Sequence, residues 1–156
     1  GVAASSQPDM RWGRCDVKSI SLLPNILAKQ AAREVGAFEA ILIDDDGLVS
    51  EGSSTNIWMV STSGELITRS TDDNILPGIT RASIKTLCAA HQISFTERAF
   101  TLEEAMDARE MFLTSSTAGA MPIVTLDGCM VGDGKVGPVS LKMIDIYRKH
   151  LDSHVT

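Results

Sequence analysis

Aromatic residues are scarce in this sequence: four Phe, two Trp and one Tyr make up 4% of 156 residues. Its core therefore has to be assembled from Leu, Ile, Val, Ala and Met. Excess positive charge is missing too. The formal net charge is −6, and the four basic residues from Arg11 to Lys29 are scattered rather than clustered. Nucleic-acid backbones demand a basic stripe, so binding to them is excluded. No apolar run reaches the roughly 20 residues that span a bilayer. Nor does a charged segment precede a short apolar one in the manner of a secretion signal. Cysteine is limited to Cys15, Cys88 and Cys129, an odd and widely spaced set that predicts reduced thiols and a cytoplasmic setting. None has zinc spacing, and His91, His150 and His154 form no metal cluster, the last two lying in a polar tail. Chemistry in this chain needs an organic cofactor or ordinary side chains.

What is present suits a globular fold: 44% hydrophobic and 22% charged residues, with length enough for one well-buried core. Apolar residues at helical spacing predict helices over Leu22–Val35, Thr80–His91 and Pro138–Leu151. Pro24 falls in a first turn and Gly36 is a natural stop. Thr101 and Glu104 form a capping box for a short helix through Ala108. β-rich runs separate these segments: Ala40–Ile43, Asn56–Val60, Glu65–Thr68, Ile93–Phe95, Met111–Thr114, Ile123–Leu126 and Cys129–Val131. The second and third form a hairpin across Ser61–Gly64, and the last two join at Asp127-Gly128. Strands and helices alternate without internal repeats, so the fold class is mixed α/β (α+β). Residues 1–10 are small and polar and are expected to be a linker remnant, with residues 11–156 forming the domain.

Four segments pair special backbone residues with polar side chains. In Arg14-Cys15-Asp16-Val17-Lys18-Ser19, Lys18 sits in an apolar, β-like run. Partial desolvation there lowers an amine's pKa and makes it nucleophilic; the alternative is a plain surface lysine. Ser50-Glu51-Gly52-Ser53-Ser54-Thr55-Asn56 offers one carboxylate and several hydroxyls to a polar ring, or forms a solvated turn. Leu76-Pro77-Gly78-Ile79-Thr80-Arg81 opens a helix whose free N–H groups suit a phosphate, although Pro-Gly before a helix is also common punctuation. Thr114-Ser115-Ser116-Thr117 is a hydroxyl-rich stretch directly after a strand.

In this order the four segments resemble the fold-type IV pyridoxal-phosphate (PLP) enzymes. Leu22-Leu23-Pro24-Asn25-Ile26-Leu27-Ala28-Lys29-Gln30, Gly36-Ala37-Phe38-Glu39-Ala40 and Gly132-Asp133-Gly134-Lys135 resemble the D-amino-acid aminotransferase type in particular. The likeness runs from Arg11 to about Leu151. It implies the C-terminal domain of that fold, a β-sheet or pseudo-barrel with surrounding helices, with a further N-terminal domain and a homodimer. It also implies transamination between a D-amino acid and a 2-oxo acid. By position, Lys18 is the lysine that carries PLP as a Schiff base and moves the proton, and Glu51 is the partner of the pyridine nitrogen. Ser53, Ser54 and Thr55 are the hydroxyl loop beside the ring, and Leu76 supports the ring face. Ile79, Thr80 and Ser116 cradle the phosphate. The family's site lies between two domains, so this segment alone is expected to show weak or no transaminase activity. Branched-chain aminotransferases and aminodeoxychorismate lyases share the fold and the Lys and Glu roles and stay open as alternatives. So does a non-catalytic module without cofactor.

Overall fold

A computed structural model describes residues 1–72 and 74–153; His154, one of the tail histidines, lies outside them. The elements in chain order are β1 (Val2–Pro8), α1 (Leu23–Glu34), β2 (Glu39–Ile43), β3 (Val49–Gly52), β4 (Asn56–Val60), β5 (Leu66–Thr68) and α2 (Ile79–Ala90). β6 (Phe95–Glu97), α3 (Leu102–Met106), β7 (Glu110–Ser115), β8 (Gly119–Leu126), β9 (Cys129–Met130) and α4 (Pro138–Asp152) follow. The mixed class expected from the sequence is what is found, a curled half-barrel sheet with helices packed against it. The strands run in the order β3-β2-β1-β8-β7-β4-β5-β6, with β9 paired to β8. Among the described residues no helix is long and apolar enough to cross a membrane.

Side chains alternate across a strand, and the central strands are apolar on both faces because both are covered. In β4, Ile57 and Met59 enter one core with Met111, Leu113, Ile123 and Phe100. Trp58 and Val60 enter the other, with Phe112 and with Ile84 and Cys88 of α2 and Met143 and Ile146 of α4. Trp58 stacks on Phe112 at a centroid distance of 5.6 Å, and its indole N–H donates to Thr114 Oγ1 at 3.2 Å. Two-sided burial of this kind produces the unbroken apolar runs that make these strands readable. The Thr101–Glu104 capping box is formed in both directions.

The linker reading of the N-terminal residues is overturned. Val2–Pro8 is strand β1, in the middle of the sheet and parallel to both β2 and β8. Its sequence has low strand propensity, but small side chains are what the position requires. Ala4 is buried in the main core, and Ala3 packs beside Ala28 and Ala32 of α1 and Ala37 and Ala40, a layer of alanines that brings α1 close to the sheet. β3 has no counterpart among the expected strands, since Val49-Ser50-Glu51-Gly52 lacks an apolar pattern. β6 begins two residues later than expected because it pairs in parallel with β5, Leu66 opposite Phe95.

Candidate active site

The connection from β1 to β2 is a crossover through α1, and parallel units of this kind leave a crevice beyond the C-terminal end of the strand. Asp9 continues the pairing, its N–H donating to Ile43 O at 2.7 Å. A turn closed by Val17 N–H to Arg14 O at 3.1 Å then delivers Lys18. Lys18 is exposed and Ile20 is 98% exposed. The β-like, desolvated run expected around Lys18 is therefore absent; the segment is loop, with Val17 and Ile20 left exposed among the described residues.

Lys18 lies on the wall of an open cavity of about 960 Å³. The structure brings to the same cavity every site residue expected from the sequence: Glu51, Ser53, Ser54, Thr55, Leu76, Ile79, Thr80 and Ser116 line it together with Lys18. Glu51 sits in β3, Ser53–Thr55 form the tight link to β4, Ile79 and Thr80 are the first turn of α2, and Ser116 is in the turn after β7.

A buried ionic network stands behind Glu51. Arg11 Nη1 donates to Glu51 Oε1, and the Leu76 N–H donates to the same oxygen at 3.1 Å. Asn56 Nδ2 donates to Glu51 Oε2 at 2.9 Å and to Leu76 O at 2.9 Å. Arg11 also grips Asp9 with both arms of its guanidinium, Nε to Oδ1 at 2.8 Å and Nη2 to Oδ2 at 2.7 Å. Such bidentate pairing is strong and directional. Burial pushes the Glu51 carboxyl up to about 7, although Arg11 and the Leu76 N–H pull the other way. Burial acts in the same sense on Asp9, but there the Arg11 bonds prevail and the carboxyl lies below its ordinary value. Arg11 itself is opposed by burial, yet Asp9 and Glu51 hold it above its ordinary range.

α2 opens without a side-chain cap, and its first residues, Ile79 and Thr80, line the cavity, where first-turn N–H groups have no partner within the helix. Thr80 is buried and its hydroxyl has no partner among the described residues. Gly78 precedes this turn because a Cβ there would stand 2.2 Å from Asn56 Oδ1. Arg81, also buried, ties the turn to the end of β5, with Nη2 donating to Arg69 O at 2.7 Å and to Glu97 Oε1 at 2.6 Å.

Asp9, Arg11, Asn25, Glu39 and Asn56 were not singled out from the sequence. Asp9 and Arg11 did carry a signal, since an acidic and a basic residue two apart can pair locally, as they do here. Asn56 was legible only as the end of its motif.

The model of the class IV amino-transferase family matches residues 1–126. The chain is 44% identical over 140 residues to the D-alanine aminotransferase of Bacillus licheniformis, covering 90% of this chain and 49% of that protein. It is 40% identical over 153 residues to that of Staphylococcus haemolyticus, covering 98% and 54%. It thus spans about half the length of the curated relatives it matches. Among solved structures, a T.th. branched-chain amino acid aminotransferase with pyridoxamine 5'-phosphate superposes with a TM-score of 0.87 at 27% identity, over 99% of this chain and 53% of the other. Class IV aminotransferases are PLP-dependent. The chain belongs to the class IV aminotransferase family.

Proposed function

We propose that these residues form the cofactor-binding part of a D-amino-acid aminotransferase, which exchanges an amino group between a D-amino acid and a 2-oxo acid with PLP as cofactor. One observation carries the reading: a single cavity is lined both by a buried carboxyl, Glu51, and by an uncapped helix N-terminus with an unpartnered buried hydroxyl, Thr80. PLP carries the groups that suit these two features, a ring nitrogen for the carboxyl and a phosphate for the helix N-terminus. Bound there, PLP supplies an electron-accepting ring that stabilises negative charge on the α-carbon of the amino acid.

The chain's own residues then divide the work. Lys18 would hold the cofactor through its side-chain amine and would carry the proton as general base and acid. Glu51, poised near neutrality and braced by Arg11 and Asn56, holds a proton on the ring nitrogen. The N–H groups of Ile79 and Thr80, with the Thr80 and Ser116 hydroxyls, bind phosphate oxygens where the helix dipole favours them. Leu76 would support the ring face, and Ser53, Ser54 and Thr55 would line its edge. The D-alanine relatives at 44% and 40% identity favour this substrate class over the branched-chain enzyme matched at 27%.

Leu22 and Ile26 line the cavity yet are exposed, so the rest of the whole protein is expected to close this side and complete substrate binding. Leu23 and Leu27, exposed on the outer face of α1, suit a second copy in a homodimer. The three thiols are unbridged, in keeping with a cytoplasmic enzyme.

The test is borohydride reduction of the chain after incubation with PLP, followed by peptide mapping. A single adduct on Lys18 is expected. Label spread over several lysines, or none, would overturn the assignment of the cavity.

A further inference from the structure

Glu39 opens β2 with its side chain fully buried, and four donors from three parts of the chain converge on it. Lys29 Nζ of α1 lies 3.1 Å from Oε1. The Ala40 N–H donates to the same oxygen at 2.9 Å. The Ser53 hydroxyl donates to Oε1 at 2.5 Å and the Thr55 hydroxyl to Oε2 at 3.2 Å. An ionised carboxylate is retained at such a depth only when paired and hydrogen-bonded, and this one is both. Ser53 and Thr55 also line the cavity, whereas Glu39 stands behind them.

The link from β3 to β4 is gripped at every polar atom of Ser53. Its N–H donates to Ala40 O at 3.0 Å, its carbonyl accepts from Asn25 Nδ2 at 2.8 Å, and its hydroxyl goes to Glu39. Asn25 and Lys29 are four residues apart and so share one face of α1. One helix face and one carboxylate therefore hold the loop. A carboxylate can only accept, which commits the hydroxyl protons of Ser53 and Thr55 to Glu39.

We propose that Glu39 is a positioning residue of the active site, holding Ser53 and Thr55 with their protons turned inward so that they face the cavity as hydrogen-bond acceptors. The proposal rests on the reading of that cavity as a PLP site. Acceptors along its wall favour a protonated nitrogen beside them; donors favour deprotonated forms. In Glu39→Gln the amide can itself donate to Ser53 Oγ and free that hydroxyl proton to point into the cavity. Of the other charged groups of the cavity, Arg11, Lys18, Lys29, Arg33 and Glu51, Lys29 loses its carboxylate partner in Glu39→Gln; Ser53→Ala/Thr55→Val keeps that pair and so separates the lost charge from the turned hydroxyls.

Absorbance titration of the whole chain with PLP tests this. Glu39→Gln is expected to weaken binding about tenfold and to lower the pH midpoint of the bound chromophore by about one unit. A residue that only supported the fold would weaken binding without moving the midpoint. Added to Ser53→Ala/Thr55→Val, Glu39→Gln should have little further effect, because both act through the same hydroxyls. An unchanged midpoint, or fully additive effects, overturns the proposal. Should Glu39→Gln not fold, Ser53→Ala/Thr55→Val alone decides, since loss of both acceptors must also move the midpoint. Hydrogen exchange over residues 52–56 without cofactor keeps the two readings apart. If the unsubstituted chain takes up no PLP, the cofactor reading fails. Faster exchange in Glu39→Gln then still supports positioning of the loop, and unchanged exchange refutes it.

Discussion

Glu51→Gln gives a direct measure of how burial and the Arg11 pair compete at the cavity wall. The Glu51 carboxyl is raised from an ordinary 4.5 to about 7, whereas in the unfolded chain it returns to its ordinary value. Below pH 4.5 both states carry the proton, and Glu and Gln are alike in charge. As pH rises above 4.5 the unfolded chain gives up its proton while the folded chain keeps it. The unfolded state then binds fewer protons than the folded one, so stability falls with pH. The loss is complete once pH passes the folded value near 7. The gap corresponds to about 3 kcal/mol. That figure applies because Glu51 is only 5% exposed, which leaves little solvent screening.

Urea unfolding of both proteins at pH 4.5 to 8, without PLP, reads this quantity. The other carboxylates titrate equally in both and cancel in the difference. The unsubstituted chain should lose about 3 kcal/mol relative to Glu51→Gln between pH 4.5 and 7, with a plateau above. A difference that stays flat would refute the reasoning. It would mean that Arg11 outweighs burial and keeps Glu51 ionised throughout.

Two further substitutions probe the ends of the cavity. Arg11→Met leaves the Asp9 and Glu51 carboxyls buried without their shared cation and is expected to cost about 3–5 kcal/mol in denaturant unfolding. Part of that should return in Arg11→Met/Glu51→Gln; no recovery would mean that the cost comes from lost packing. Thr80→Val removes a buried hydroxyl that has no partner, so the chain without PLP should gain about 1 kcal/mol while its affinity for PLP drops. A variant that is less stable and binds PLP equally well would separate that hydroxyl from the phosphate.

The parts legible in the sequence are those in which local chemistry and tertiary role agree. β4 and β7 are buried on both faces, and their composition says so. α3 announces itself through a capping box whose two bonds are made within four residues. The glycine before α2, needed because Asn56 leaves no room for a Cβ, and the run of hydroxyls after Glu51 were visible as motifs. β1 is the reverse case. Its alanines and serines describe the close approach of α1, a property of the partner helix, and nothing in their own propensity marks a central strand. Lys18 is similar: an apolar neighbourhood in sequence became an exposed loop in space, because Val17 and Ile20 are left uncovered by the described residues.

The network behind the cavity was hidden for a further reason. Asp9 and Arg11 follow β1 and Glu51 lies in β3, so the central pair, Arg11 and Glu51, is forty residues apart along the chain. These groups meet because β1 pairs with β2 and β2 with β3, which brings the end of one strand beside the end of another. Glu39 follows the same logic, at the start of β2 with its partners on α1 and on the link to β4. Residues that would touch a cofactor could be found by their chemistry, since that chemistry is imposed by the ligand. Residues that hold them in place are selected by sheet order, and sheet order is a property of the whole fold.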